Sequence, residues 1–137
     1  MRRETRMTTP AHGPIIEVVG ATDNGLTAVE EITELGPDVA VVDLKLPGAD
    51  GLQVLELLAE ASCRVLILTA YVDSSTVYAA LAAGARGFLE KAASFEEITD
   101  AVAAVAAGET VIAPVVSAAL AVEIRSRGSE QQKSLLT

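Results

Sequence analysis

Residues 39–44 read Val-Ala-Val-Val-Asp-Leu, a continuous apolar run interrupted only by Asp43. Apolar side chains at successive positions, rather than alternate ones, suit a strand buried on both faces of a parallel sheet. An ionisable group at the end of such a strand needs a chemical reason. Open parallel sheets supply one, because they bind ligands outside the carboxyl ends of their strands. Two later runs have the same form: Val65–Thr69 (VLILT) ends in Thr69, and Gly87–Glu90 (GFLE) is followed by Lys91. Upstream, Ile15–Gly20 reads as one further strand.

Helical patterns separate these runs. Leu26, Val29, Ile32 and Leu35 recur at helical spacing, and Gly36-Pro37 stops that helix. Asp50 with Gln53 forms a capping box before Leu52, Leu55 and Leu58. Asp73 or Ser74 opens a helix carrying Val77 and Leu81. Ser94 with Glu97 forms a second capping box, before Ile98, Val102 and Val105. Pro114 opens a last helix with Val116, Leu120 and Ile124 on one face. Strands alternating with helices predict an α/β fold with a parallel sheet and right-handed crossovers. The expected organisation is a disordered tail over 1–14, a domain over 15–112, a linker helix over 113–126 and a flexible tail over 127–137.

Half of the 137 residues are hydrophobic, enough for a core, and the chain has no Trp. Net charge is −9, and residues 7–122 hold four basic against sixteen acidic side chains. Nucleic-acid affinity comes mainly from cations facing phosphates, so this acidic body predicts no direct DNA binding and favours protein partners or a cation. The single cysteine, Cys63, excludes an intrachain disulfide and fits a reducing compartment. No apolar run is long enough to span a bilayer, so a cytoplasmic location without membrane association is expected. His12 has no neighbours at metal-ligand spacing.

Adjacent parallel strands lie about 4.8 Å apart, so three neighbouring strand ends can converge on one small site. A carboxylate, a hydroxyl and an ammonium form a phosphoryl-handling set. Asp43 would accept the group, Thr69 would hydrogen-bond an oxygen and Lys91 would neutralise charge. Taken singly, each has a plainer reading: Asp43 as a turn former, Thr69 as a strand residue, Lys91 as a solvated charge, and Cys63 as a small half-buried side chain.

The segment Asp43-Leu44-Lys45-Leu46-Pro47-Gly48-Ala49-Asp50-Gly51 resembles the phosphoacceptor loop of response-regulator receiver domains. Leu68-Thr69-Ala70 and Gly87-Phe88-Leu89-Glu90-Lys91 resemble that family's threonine and lysine strands. Glu17 to Gly25, Glu90 to Ser94 and the helix after Pro114 are similar to the NarL/FixJ-type subfamily, whose receivers precede a LuxR-type DNA-binding domain. The resemblance implies a flavodoxin-like (CheY-like) doubly wound parallel sheet and a phosphoprotein of a two-component system, not an enzyme in the ordinary sense. It implies that Asp43 takes phosphate from a sensor histidine kinase to control an output, namely transcription. It gives Thr69 and Phe88 the switch positions and makes Mg²⁺ the cofactor, held by Asp43 and the Lys45 backbone carbonyl. Phe88 has the alternative reading of a plain core aromatic.

The match departs from the family at its start. Receivers open with a strand ending in an acidic pair, then a helix, and residues 1–14 show neither, so the fold is expected to lack the first strand and first helix. Mg²⁺ binding should then be weak or absent, with Asp23 on the neighbouring strand as the one candidate replacement ligand. The strand at Ile15–Ala21 should either pair directly with Val39–Leu44 or remain loosely attached. The missing helix should leave an apolar face beside Ile98, Val102 and Val105, to be covered by the Pro114 helix or by a second copy in a homodimer. Leu135-Leu136-Thr137 resembles the opening of the DNA-binding domain, which is expected to be absent. The alternative function is a degenerate pseudo-receiver, a phosphate-independent interaction or dimerisation module.

Overall fold

The computed structural model describes residues 2–8, 15–45, 50–70 and 72–136. His12, Tyr71 and the Leu46–Ala49 part of the acceptor-loop motif lie outside the described residues. The chain order is β1 (Arg2–Thr8), β2 (Ile15–Thr22), α1 (Gly25–Leu35), β3 (Val39–Asp43), α2 (Gly51–Leu57), β4 (Arg64–Thr69), α3 (Ser74–Ala82), β5 (Gly87–Glu90), α4 (Phe95–Ala106), β6 (Val111–Ile112) and α5 (Pro114–Leu136). The sheet runs β2-β1-β3-β4-β5-β6, with β3 to β6 mutually parallel. The flavodoxin-like receiver architecture expected from the sequence is therefore present.

The start of the chain is corrected. Arg2–Thr8, expected to be disordered, is a strand paired antiparallel to both β2 and β3. It occupies the central slot, so β2 neither pairs with β3 nor hangs loose. The slot presents two strand edges with open backbone donors and acceptors, which a ladder can satisfy without any apolar side-chain pattern. The antiparallel direction follows from length. Only residues 9–14 separate β1 from β2, whereas a parallel connection needs a crossover of a dozen residues or more. A parallel first strand with its own helix is not found among the described residues.

Two apolar clusters flank the sheet. On one face, Ala40, Val42, Ile67 and Phe88 pack with Ile32, Val54, Leu55, Leu58, Val77, Ala80 and Val116, contributed by α1, α2, α3 and α5. On the other, Val39, Val41, Leu66 and Leu89 meet Ala101, Val102 and Val105 of α4 alone. The expectation that the Pro114 helix covers the barer face is overturned: Val116 buries on the opposite side. Its inward stripe is Val116, Ala119, Leu120 and Glu123, while Ile124 is exposed. This helix also continues through residues 127–136, expected to be a flexible tail, where Gln131, Gln132, Lys133 and two leucines favour helix.

Helix ends follow local chemistry. Asn24 caps α1 by accepting from the N–H groups of Leu26 and Thr27 at 2.9 and 3.2 Å. Gly36 closes it at φ 59°, a left-handed turn that suits glycine. Along α1 the buried positions are Gly25, Ala28 and Ile32, while Leu26 and Leu35 of the expected stripe face solvent. The capping box of Asp50 and Gln53 is formed on α2. At α4, Ser94 caps Glu97 N–H, but the Glu97 carboxylate takes the Ser94 hydroxyl instead of completing a box.

Gly51 is needed for packing. A Cβ there would lie 2.8 Å from the Leu44 Cα, backbone that cannot move aside cheaply. Gly51→Ala should cost about 1–3 kcal/mol and lower the melting temperature by several degrees. Gly128, inside α5, has open space around it, so Gly128→Ala should add up to about 1 kcal/mol of helix stability. Thermal melts followed by circular dichroism check both signs.

Candidate functional site

The register of the parallel ladder brings the three expected residues to one end of the sheet. Asp43 pairs with Leu68, placing Thr69 one residue beyond it on β4. Thr69 pairs with Glu90, and the backbone N–H of Lys91 donates to the Thr69 carbonyl at 2.7 Å. Asp43 and Thr69 are the two polar side chains buried in the described core, at 6% and 4% exposure. Neither would be tolerated there without partners.

Asp43 has strong ones. The Lys91 ammonium donates to Oδ2 at 2.6 Å, and the Lys45 backbone N–H donates to Oδ1 at 3.1 Å. Lys91 reaches in from a half-exposed position, so its stem spans from solvent to the buried carboxylate. Burial disfavours the charged form of Asp43, but the bonds from Lys91 and from the Lys45 N–H outweigh it and hold the carboxyl below its usual range. The group is an ionised, oriented carboxylate at neutral pH, the form a nucleophile requires. The loop beyond is anchored by Gly51 N–H on the Leu44 carbonyl at 2.9 Å.

Beside this pair lies a cleft of about 670 Å³ lined by Leu44, Lys45, Asp50, Leu52, Thr69, Asp73 and Thr76. Asp50, Asp73 and Thr76 were legible in the sequence only as helix-start residues. Their place just after strand ends, at the ligand-binding end of a parallel sheet, was the signal that they also line the site. Phe88 is fully buried beneath, in the cluster with Val77 and Val116. Cys63 is half-buried at the opposite end of β4, with its thiol against the Arg64 carbonyl.

Receiver domains typically bind Mg²⁺. The residues described here do not fit a tight site for it. No three His, Cys, Asp or Glu side chains gather as a metal ion would need among the described residues. Because β1 runs antiparallel, the end it places beside Asp43 is its start, Arg2 and Arg3, where an acidic pair would be required. Asp23 closes β2, two strand spacings away across β1, so it is not a neighbour of Asp43.

The depressed Asp43 titration carries a stability consequence. A carboxyl whose folded pKa lies below its unfolded value stabilises the fold above the unfolded pKa, near 3.9, and loses that contribution as pH falls through the folded value. Lys91→Met should raise the Asp43 pKa, read by carboxyl ¹³C NMR titration. It should also be less stable than the parent at neutral pH, with the gap closing on acidification below pH ~4. An equal gap at all pH values would show that the pair does not hold the carboxylate.

Comparison with known proteins agrees with this geometry. The response regulator receiver domain family matches residues 7–103. The transcriptional regulatory protein NarL of Mycobacterium tuberculosis is 42% identical over 116 residues, covering 83% of this chain and 54% of the relative. The transcriptional regulatory protein DesR of Bacillus subtilis is 34% identical over 99 residues, covering 72% and 50%. The chain thus spans about half the length of these curated relatives. The solved receiver domain of M. tuberculosis NarL superposes with a TM-score of 0.66 at 42% identity, over 68% of this chain and 77% of that one. A LuxR-family response regulator from Aurantimonas superposes with a TM-score of 0.67 at 29% identity, over 73% of each. The alternative reading as a phosphate-independent pseudo-receiver finds no support here, since the residues it would dispense with are assembled. The chain belongs to the response regulator receiver domain family, in its NarL/LuxR-type branch.

Proposed function

We propose that Asp43 accepts a phosphoryl group from a sensor histidine kinase and that this modification controls transcription through a DNA-binding output. The observation that carries the reading is the buried Asp43 carboxylate held ionised by Lys91 at 2.6 Å, beside a cleft that Thr69 lines. A carboxylate oxygen attacks the phosphorus of a phosphohistidine. The P–N bond breaks, an acyl phosphate forms, and the imidazole leaves with the bonding pair. Lys91 shifts from the carboxylate to the incoming phosphoryl oxygens, and the Thr69 hydroxyl donates to another. Phe88, packed against α3 and α5, takes the switch position. The Lys45 backbone carbonyl and Asp43 are the two groups on which a metal would rest, and Mg²⁺ binds there weakly or not at all. The domain is a signalling module whose own chemistry ends at gain and loss of this phosphoryl group. Its partners are the kinase and a second copy of itself, not DNA or membrane. Among the described residues no helix is long and apolar enough to cross a bilayer, which agrees with a cytoplasmic site of action.

Acetyl phosphate treatment followed by borohydride reduction and peptide mapping tests the acceptor. Label is expected on Asp43 and lost in Asp43→Asn; label on another aspartate contradicts the assignment. Calorimetric titration tests the metal: saturation at low micromolar Mg²⁺ would contradict the weak site. The second copy is supported by the face that α4 alone covers, where Val18 is 55% and Phe95 75% exposed. Sedimentation should show dimers that Val18→Ser with Phe95→Ser dissociates; a parent monomer at high concentration contradicts this.

A further inference from the structure

The first turn of α3 serves two surfaces at once. On one side, Asp73 and Thr76 line the cleft beside Asp43, together with Thr69. Asp73 is fixed there by the hydroxyls of Ser75 and Thr76, which donate to Oδ2 at 3.0 and 2.7 Å. On the other side, the Ser74 hydroxyl donates to Glu123 Oε1 of α5 at 3.1 Å. Glu123 Oε2 accepts from Arg127 Nε at 2.9 Å, and the Arg127 guanidinium lies 4.0 Å from the centre of the Tyr78 ring. Ser74 and Tyr78 are four apart on α3, and Glu123 and Arg127 four apart on α5, so the contacts form two rungs between facing helices. Beneath the rungs, Val77, Ala80 and Val116 share one apolar cluster.

The geometry points to α5 as a latch that holds α3 in place and that a phosphoryl group on Asp43 loosens. The inference rests on the proposed acceptor role. A phosphoryl group brings up to about two negative charges to a site whose wall includes the Asp73 carboxylate. Like charges in the cleft push the first turn of α3 outward, and Thr69, only five residues before Ser74, is drawn toward the phosphoryl oxygens. Either movement displaces Ser74, which is the rung nearest the site. The rungs are polar and largely solvent-facing, so they are weak enough to break. Coupling between two sites is reciprocal: if occupancy weakens the latch, a weakened latch favours occupancy.

The test uses the full chain with beryllofluoride as the phosphoryl analogue. Amide hydrogen exchange over Val115–Arg127 is compared with and without it, and analogue affinity is measured for Glu123→Gln and Arg127→Leu. Faster exchange in α5 on binding is expected. The two variants should bind the analogue about three- to ten-fold more tightly, the size expected of a coupling built from exposed polar contacts. Arg125→Ala, on α5 but outside the rungs, should bind as the parent does. Binding at Asp43 with unchanged α5 exchange and unchanged variant affinity overturns the latch and leaves the acceptor role standing. No binding at Asp43 in parent or variants overturns both. The exchange arm needs no variant, so poor folding of a substituted chain does not blunt the test.

Discussion

An ionised carboxylate at the end of a buried strand must be neutralised, and the 2.6 Å contact between Lys91 and Asp43 does this. The rest of the site is arranged around that requirement. Lys91 can reach Asp43 because β5 lies one strand beyond β4 and because its own N–H continues the ladder onto Thr69. Thr69 can stand beside the pair because β4 runs one residue past the Asp43 level. Gly51 has no side chain because the loop leaving Asp43 must fold back against Leu44. Each of these residues is chosen by the one before it.

The same contact gives the site a cation of its own. In a sheet whose central slot is filled by antiparallel β1, the groups delivered to the Asp43 end are arginines and not carboxylates. A single carboxylate with an ammonium already on one oxygen and an N–H on the other offers little to a divalent ion that prefers several oxygen ligands. The electrostatic weight that a metal carries in phosphoryl transfer then falls on Lys91. That places this chain apart from a receiver with a full acidic pair, although its fold and its acceptor strand are of the same kind.

Much of this was legible in the sequence. The runs ending at Asp43, Thr69 and Lys91 were strands because continuous apolar stretches bounded by turn and cap signals leave little choice, and parallel pairing then brought their ends together. The helix after Pro114 was legible as a helix but not in its direction of packing, because Val116 and Ile124 are equally apolar and only the α3 surface decides which one is buried. Arg2–Thr8 was not legible at all. Its residues carry no apolar alternation, and backbone pairing in an open slot leaves no trace in side-chain pattern. The cleft-lining role of Asp73 and Thr76 was hidden for a different reason: a helix-start residue looks the same whether its outer side faces solvent or a site.

The central claim is that Asp43, served by Lys91 and Thr69, is the acceptor. Its most direct test is a crystal structure of the full chain grown with beryllofluoride and Mg²⁺. The account predicts a trifluoride group on an Asp43 carboxylate oxygen, with Lys91 Nζ moved from the carboxylate to a fluoride and the Thr69 hydroxyl within hydrogen-bond reach of another. An unmodified Asp43 still paired with Lys91 at saturating beryllofluoride, or the group bound at a different carboxylate, would contradict it.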